Sequence, residues 1–158
     1  MSTVTPQPAP IPEGLRPLSP DEEDIARSLN RVIYALPRAI DADMLREQGF
    51  PLVEYLTLMH LSEAPDRRLR MNELATACEM SLSGMSRVVQ KLERQRFVER
   101  VRCAEDARGW NAVLTDAGLA RLRQAWPTHL AAVRRHFFDH LAGLDVKQLA
   151  AALDRIAR

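Results

Sequence analysis

Apolar residues return every three or four positions along most of this chain. Ile25, Leu29, Val32, Ile33, Leu36 and Ile40 do so first, which predicts one long helix with a buried face. Ser19 can cap that helix, Pro20 suits its first position and Glu22 completes a capping box. Pro37 is expected to kink it, and Gly49 to end the segment. A second helix runs from about Pro51 to Ser62. It is apolar on most sides (Leu52, Val53, Tyr55, Leu56, Leu58, Met59, Leu61), so burial rather than a solvated face is expected. "EAPDRR" breaks it, Leu69 to Met71 reads as a short strand, and Asn72 as the cap of a third helix reaching Cys78.

The fourth helix, from near Ser81 to about Gln95, has two unlike faces. Met85, Val88, Val89 and Leu92 point one way; Ser83, Gly84, Arg87, Gln90, Lys91 and Arg94 point the other. The period then drops to two. "VERVRCAEDARGWNAVLT", Val98 to Thr115, reads as a hairpin whose returning strand packs through Trp110, Ala112 and Leu114. Thr115 and Asp116 start a long helix with a nearly heptad stripe, Leu119, Leu122, Trp126, Leu130, Val133, Phe137 and Leu141. Pro127 is expected to bend it, Gly143 to end it, and Asp145 to begin a last short helix. Met1 to Leu18, with Pro6, Pro8, Pro10, Pro12 and Pro17, reads as a disordered arm.

Composition narrows the classes. A chain of 158 residues with 46% apolar content fits one globular domain. No run approaches the roughly 20 apolar residues of a membrane span, and no secretory signal opens the chain. Cys78 and Cys103 are too few for a disulfide framework, so a cytoplasmic protein is expected. The net charge of +1 hides an uneven distribution. Between Ser81 and Arg108 stand Arg87, Lys91, Arg94, Arg96, Arg100, Arg102 and Arg108, against Glu93, Glu99, Glu105 and Asp106. That locally basic stretch suits phosphate attraction.

Helix, tight turn, helix and basic hairpin in that order have the proportions of a helix-turn-helix with a wing. Small Ala75 lets two helices cross, Met80 plugs the turn and Ser81 caps the second helix. Short Ser83, Gly84 and Ser86 let that helix enter a major groove, where Arg87, Gln90 and Lys91 reach base edges or phosphates. Arg108 at the hairpin tip suits the minor groove, and Asp106 would brace it. There is no glycine-rich phosphate loop, nucleophile elbow or HExxH, so no enzyme is expected.

"MNELATACEMSLSGMSRVVQKLERQRFVERVRCAEDARGWNAVLTDAG" resembles the winged helix of the MarR (multiple antibiotic resistance regulator) family, most specifically in the stretch from Asp106 to Gly118. The resemblance covers about Ser19 to the C-terminus. It implies a mainly α, winged helix-turn-helix fold, with residues 51–115 as the DNA-binding lobe and 19–48 and 116–158 as dimerisation helices. It further implies a homodimer on a palindromic operator in double-stranded DNA, usually a repressor released by a small molecule or by oxidation. Ser81, Ser83, Ser86, Arg87, Gln90 and Lys91 then fall on the recognition helix, with Arg108 and Asp106 on the wing. Tyr34, Tyr55, Met59 and Trp126 are expected to line the effector pocket. Relatives often carry glycine where this chain has Glu79 and Arg96; at a left-handed position that departure costs about 1 kcal/mol.

Three other readings stand beside this one. Cys103, next to Arg102, suits oxidative release of DNA. His136 and His140, one helical turn apart, with His129 on the same stripe, suit a metal. A winged helix can also serve protein contacts alone. No cofactor is implied.

Overall fold

The computed structural model describes residues 12, 14–102 and 109–157. Its elements are α1 (Pro20–Gln48), α2 (Leu52–Glu63), β1 (Arg68–Arg70), α3 (Met71–Ala77), α4 (Leu82–Arg94), β2 (Val98–Arg102), β3 (Trp110–Leu114), α5 (Asp116–His136) and α6 (Val146–Ile156). The strands form one antiparallel sheet in the order β1-β3-β2, with Arg68 opposite Val113, Val98 opposite Leu114 and Arg102 opposite Trp110. Most of the expected N-terminal arm lies outside the described residues. Among those described, no helix is long and apolar enough to cross a membrane.

The chain divides into two compact units, Met1–Ala35 and Leu36–Arg158. In the first, the capping box forms as the sequence predicts: Glu22 N donates to Ser19 Oγ (3.2 Å) and Ser19 N to Glu22 Oε2 (2.7 Å). The burial expected of its apolar face does not follow. Ile25, Leu29, Val32 and Ile33 are exposed, Ile25 by 67%. Periodicity reports that a helix has an apolar face, not that its own chain covers it.

In the second unit the same face finds partners, with Ile40 and Met44 buried. Tyr55, Leu58 and Leu61 of α2 are 0–2% exposed and sit among Leu74, Met85, Val89, Leu92, Val98 and Leu114. That central place explains why α2 is apolar on most sides. α5 turns Leu122, Ala125, Thr128 and Ala132 inward, while Trp126 and Leu130 are exposed. The expected continuous stripe also stops early. Phe137 leaves helical geometry (φ −134, ψ −69) and a single 3-10 turn, Phe138–Leu141, follows. Two smaller expectations are corrected. The cap of α3 is Arg70 rather than Asn72, because Glu73 Oε2 already accepts from Arg70 N at 3.1 Å. Trp110 is exposed at the start of β3, opposite Arg102, whose guanidinium lies over its ring 5.2 Å from the centroid.

α3 and α4 end in the same hydrogen-bonded corner. After α3, Met80 N donates to Ala75 O (2.8 Å) and Glu79 N to Thr76 O (3.0 Å); after α4, Phe97 N donates to Leu92 O (2.9 Å) and Arg96 N to Glu93 O (2.9 Å). This double bond pattern needs a left-handed residue at its centre. Glu79 (φ 52) and Arg96 (φ 62) take that conformation without being glycine. α5 then starts against the second corner. Thr115 Oγ1 donates to Arg96 O (2.8 Å) and accepts from Gly118 N (3.0 Å), while Thr115 N donates to Phe97 O (3.1 Å). Gly118 lies so close that an added Cβ would stand 2.1 Å from Phe97 O.

The far ends of α1 and α5 are tied by one carboxylate. Buried Asp43 accepts from Arg46 Nη2 (2.6 Å) and Arg135 Nη1 (2.9 Å), and its Oδ2 lies 2.8 Å from His136 Nε2. The Arg46 guanidinium first, then His136, hold the Asp43 carboxyl below its ordinary value of 3.8. A depressed carboxylate stabilises the fold above that value, and the contribution is lost as pH falls through the lower, folded value. Asp43→Asn is therefore expected to lower stability at neutral pH, with the gap to wild type closing below about pH 4; urea titrations across pH check it. In the same assay at neutral pH, Gly118→Ala is expected to cost about 1–3 kcal/mol. Glu79→Gly is expected to gain up to about 1 kcal/mol, because the left-handed strain disappears.

Candidate nucleic-acid interface

The helix pair is built on small contacts at its crossing. Ala75 is buried, and Met80 follows Glu79 through the corner to pack on the core. Ser81 Oγ accepts from Gly84 N at 3.1 Å, so its first role is to cap α4. Gly84 fits tightly there; a Cβ would lie 3.2 Å from both Met80 Cε and Ser81 Oγ. Met85, Val89 and Leu92 are 0% exposed and fix which side of α4 faces out.

That outer side carries the residues expected of it. Ser81, Ser83, Arg87, Gln90, Lys91 and Arg94 are exposed, and Ser86 is half-buried. Among the described residues, no hydrogen bond or ion pair holds Arg87, Gln90 or Arg94. Lys91 differs: its Nζ donates to Glu54 Oε1 on α2, a carboxylate that sequence reasoning did not single out. "LVEYL" gave a weak signal, one acid inside an otherwise apolar run.

A groove of about 330 Å³ separates α4 from the sheet, lined by Arg70, Asn72, Leu82, Ser86, Arg100 and Trp110. Arg100 pins the hairpin to α4: its Nε lies 2.7 Å from Glu93 Oε2, and its backbone N donates to Glu93 Oε1 at 3.2 Å. β2 is therefore locked in register with the helix beside it. Arg108, Asp106 and Cys103 lie outside the described residues. The structure thus brings the recognition-helix candidates and the wing strands to one face.

The expected effector residues differ in burial. Tyr55 is buried with its ring stacked on His129, centroids 4.3 Å apart, and Met59 is half-buried against the core. Burial raises the Tyr55 pKa and lowers that of His129. Tyr34 and Trp126 are 65% and 54% exposed. A cleft of about 450 Å³ that sequence reasoning missed lies between the second half of α1 and the start of α2. Pro37, Leu52, Val53, Leu56 and Cys78 line it, with Arg38 and Asp41. Its signal was the surplus of apolar residues on α2 beyond those the core takes up.

The residues behind the sensing alternatives are placed as follows. His129 stacks on Tyr55 and His136 sits on Asp43; α5 ends at His136, so His140 is not one turn further along the same helix. No cluster of three or more His, Cys, Asp or Glu suited to a metal occurs among the described residues. Cys78 lies 3.9 Å from Thr57 Oγ1, and burial pushes its thiol pKa up, away from the reactive thiolate.

Residues 48–109 match the family model described as MarR family. Sco3205, a MarR family transcriptional regulator from Streptomyces coelicolor crystallised in complex with DNA, is 37% identical, with a TM-score of 0.80 over 90% of each chain. AbsC, a MarR family transcriptional regulator from the same organism, is 38% identical, with a TM-score of 0.79 over 90% of this chain and 96% of that one. The HTH-type transcriptional repressor YetL of Bacillus subtilis (strain 168) is 28% identical over 137 residues, 85% of this chain and 77% of the other.

Ser81→Ala is expected to cost about 1 kcal/mol through loss of the cap, and Ser81→Asp to retain most of it. Thermal unfolding of the two variants checks this.

Proposed function

The chain belongs to the MarR family of transcriptional regulators, and from that premise we propose that it binds a palindromic operator as a cytoplasmic homodimer, repressing transcription until a small ligand releases it. The observation that carries this reading is the outer face of α4. Arg87, Gln90 and Arg94 extend from it without an intramolecular partner among the described residues, beside Ser83 and Gly84, which are too short to hold the helix off a duplex. An exposed arginine and glutamine at that spacing suit guanine and adenine edges, or phosphates, in a major groove. The groove between α4 and the sheet, with Arg70 and Arg100 on its walls, suits the backbone alongside. Arg108, braced by Asp106, would carry the contact into the neighbouring minor groove.

Exposed apolar side chains support the second copy. Ile25, Leu29, Val32 and Ile33 on α1, Trp126 and Leu130 on α5, and Val146, Leu153 and Ile156 on α6 are uncovered in the single chain. Large uncovered apolar faces of this kind mark association surfaces. A dimer places its two recognition helices about 34 Å apart, one turn of the duplex. Affinity then requires both helices to match their half-sites, so a ligand that changes their spacing releases the DNA. The cleft between α1 and α2 has room for such a ligand, and Tyr34, Tyr55, Met59 and Trp126 are the other residues proposed to feel it.

Selection from random duplex DNA at moderate salt is expected to enrich an inverted repeat with half-site centres about ten base pairs apart. On the selected site, Arg87→Ala and Arg108→Ala are each expected to weaken binding with the fold intact. Each is also expected to flatten the dependence of log K on log salt by about 0.9 for every phosphate contact removed. Unchanged affinity and slope in both variants would rule out this interface.

A further inference from the structure

Lys91 is the one long cation on the outer half of α4 that already has a counter-ion among the described residues. Glu54 of α2 is 3% exposed, whereas the Lys91 side chain remains 47% exposed. The second carboxylate oxygen, Glu54 Oε2, is buried without a hydrogen-bond partner among the described residues. Lys91 is therefore the compensation this buried charge has. An ammonium drawn away to a phosphate would leave the carboxylate desolvated and alone, and an exposed ion pair returns less than that loss.

Helix geometry agrees. At about 100° per residue, Arg87 and Arg94 fall on nearly the same line, with Ser83 and Gln90 to one side. Lys91 is rotated the other way, toward α2. α2 is itself held in the core by Tyr55, Leu58 and Leu61, so the Glu54–Lys91 pair ties the third turn of α4 to a rigid neighbour.

We propose that Glu54 is a positioning residue for DNA binding. It withholds Lys91 from the phosphates and uses it to fix the roll of α4, so that Arg87, Gln90 and Arg94 face the duplex. This rests on the reading of α4 as the DNA-contacting helix, and it reassigns Lys91 from contact to tether.

The chain has two lysines, Lys91 and Lys147, and the second is an exposed internal reference. Full-length protein is treated, without DNA, with an amine-acylating reagent and read by mass spectrometry. Lys91 is expected to react more slowly than Lys147 in wild type and to approach it in Glu54→Gln; equal reactivity in wild type overturns the tether. Operator binding is then measured against salt. Glu54→Gln, which frees Lys91, is expected to steepen the slope of log K on log salt by about 0.9 per subunit. The double variant Glu54→Gln/Lys91→Gln is expected to return to the wild-type slope. A double variant shallower than wild type by about 0.9 per subunit puts Lys91 on a phosphate and overturns the proposal; so does an unchanged slope in Glu54→Gln. Wild-type protein that binds no duplex overturns the interface reading and the proposal with it, and the acylation result still tells that failure apart from a missing tether.

Discussion

The second unit is organised around the approach of α5 to the Phe97 carbonyl. That oxygen accepts from Thr115 N at 3.1 Å, with the Thr115 hydroxyl, which donates to Arg96 O at 2.8 Å, also 3.1 Å away, while Gly118 leaves room for it. On one side of the contact lie the end of α4 and the beginning of β2; on the other lie the end of β3 and the beginning of α5. A single backbone position therefore fixes the hairpin, the recognition helix and the long C-terminal helix against one another. The left-handed Arg96 delivers Phe97 to that place. Leu92, Val98 and Leu114, all nearly or fully buried, fill the space beneath.

Much of this was legible in the sequence because it is local. Capping residues at Ser19, Ser81, Thr115 and Asp145 mark helix starts by chemistry that acts within one turn, and each cap forms. The two faces of α4 follow from spacing alone. The left-handed corners at Glu79 and Arg96 were expected only through the family resemblance, which often implies glycine there. What could not be read depends on a distant partner. Nothing in the spacing of Ile25, Leu29, Val32 and Ile33 says that this chain leaves them uncovered. Nothing around Gly118 names Phe97 as the group it must admit. Lys91 has an outward position by periodicity, yet its side chain is long enough to reach a buried acid on another helix. Arg108 and Asp106, the most specific signal in the sequence, lie outside the described residues.

The balance of charge makes sense once its pairings are known. Asp43 takes up Arg46 and Arg135, Glu93 takes up Arg100, and Glu54 takes up Lys91. These acids are spent on architecture. The cations left on the outer face of α4 are then few and concentrated, which a net charge of +1 conceals. A near-neutral chain can still present an oriented field, because Arg87 and Arg94 on α4 have no paired acid among the described residues.

The strand order has a consequence for the timing of assembly. β2 and β3 are joined through a short connection, but β1 pairs with β3 across α3, α4 and β2. Closing that larger loop costs more chain entropy, so it follows the local hairpin and helix pair rather than preceding them. The groove bounded by Arg70, Ser86 and Arg100 draws one wall from each part. It comes into being only at the last of these steps. A chain still emerging during synthesis, or partly unfolded, has the separate pieces of a binding surface and none of its shape.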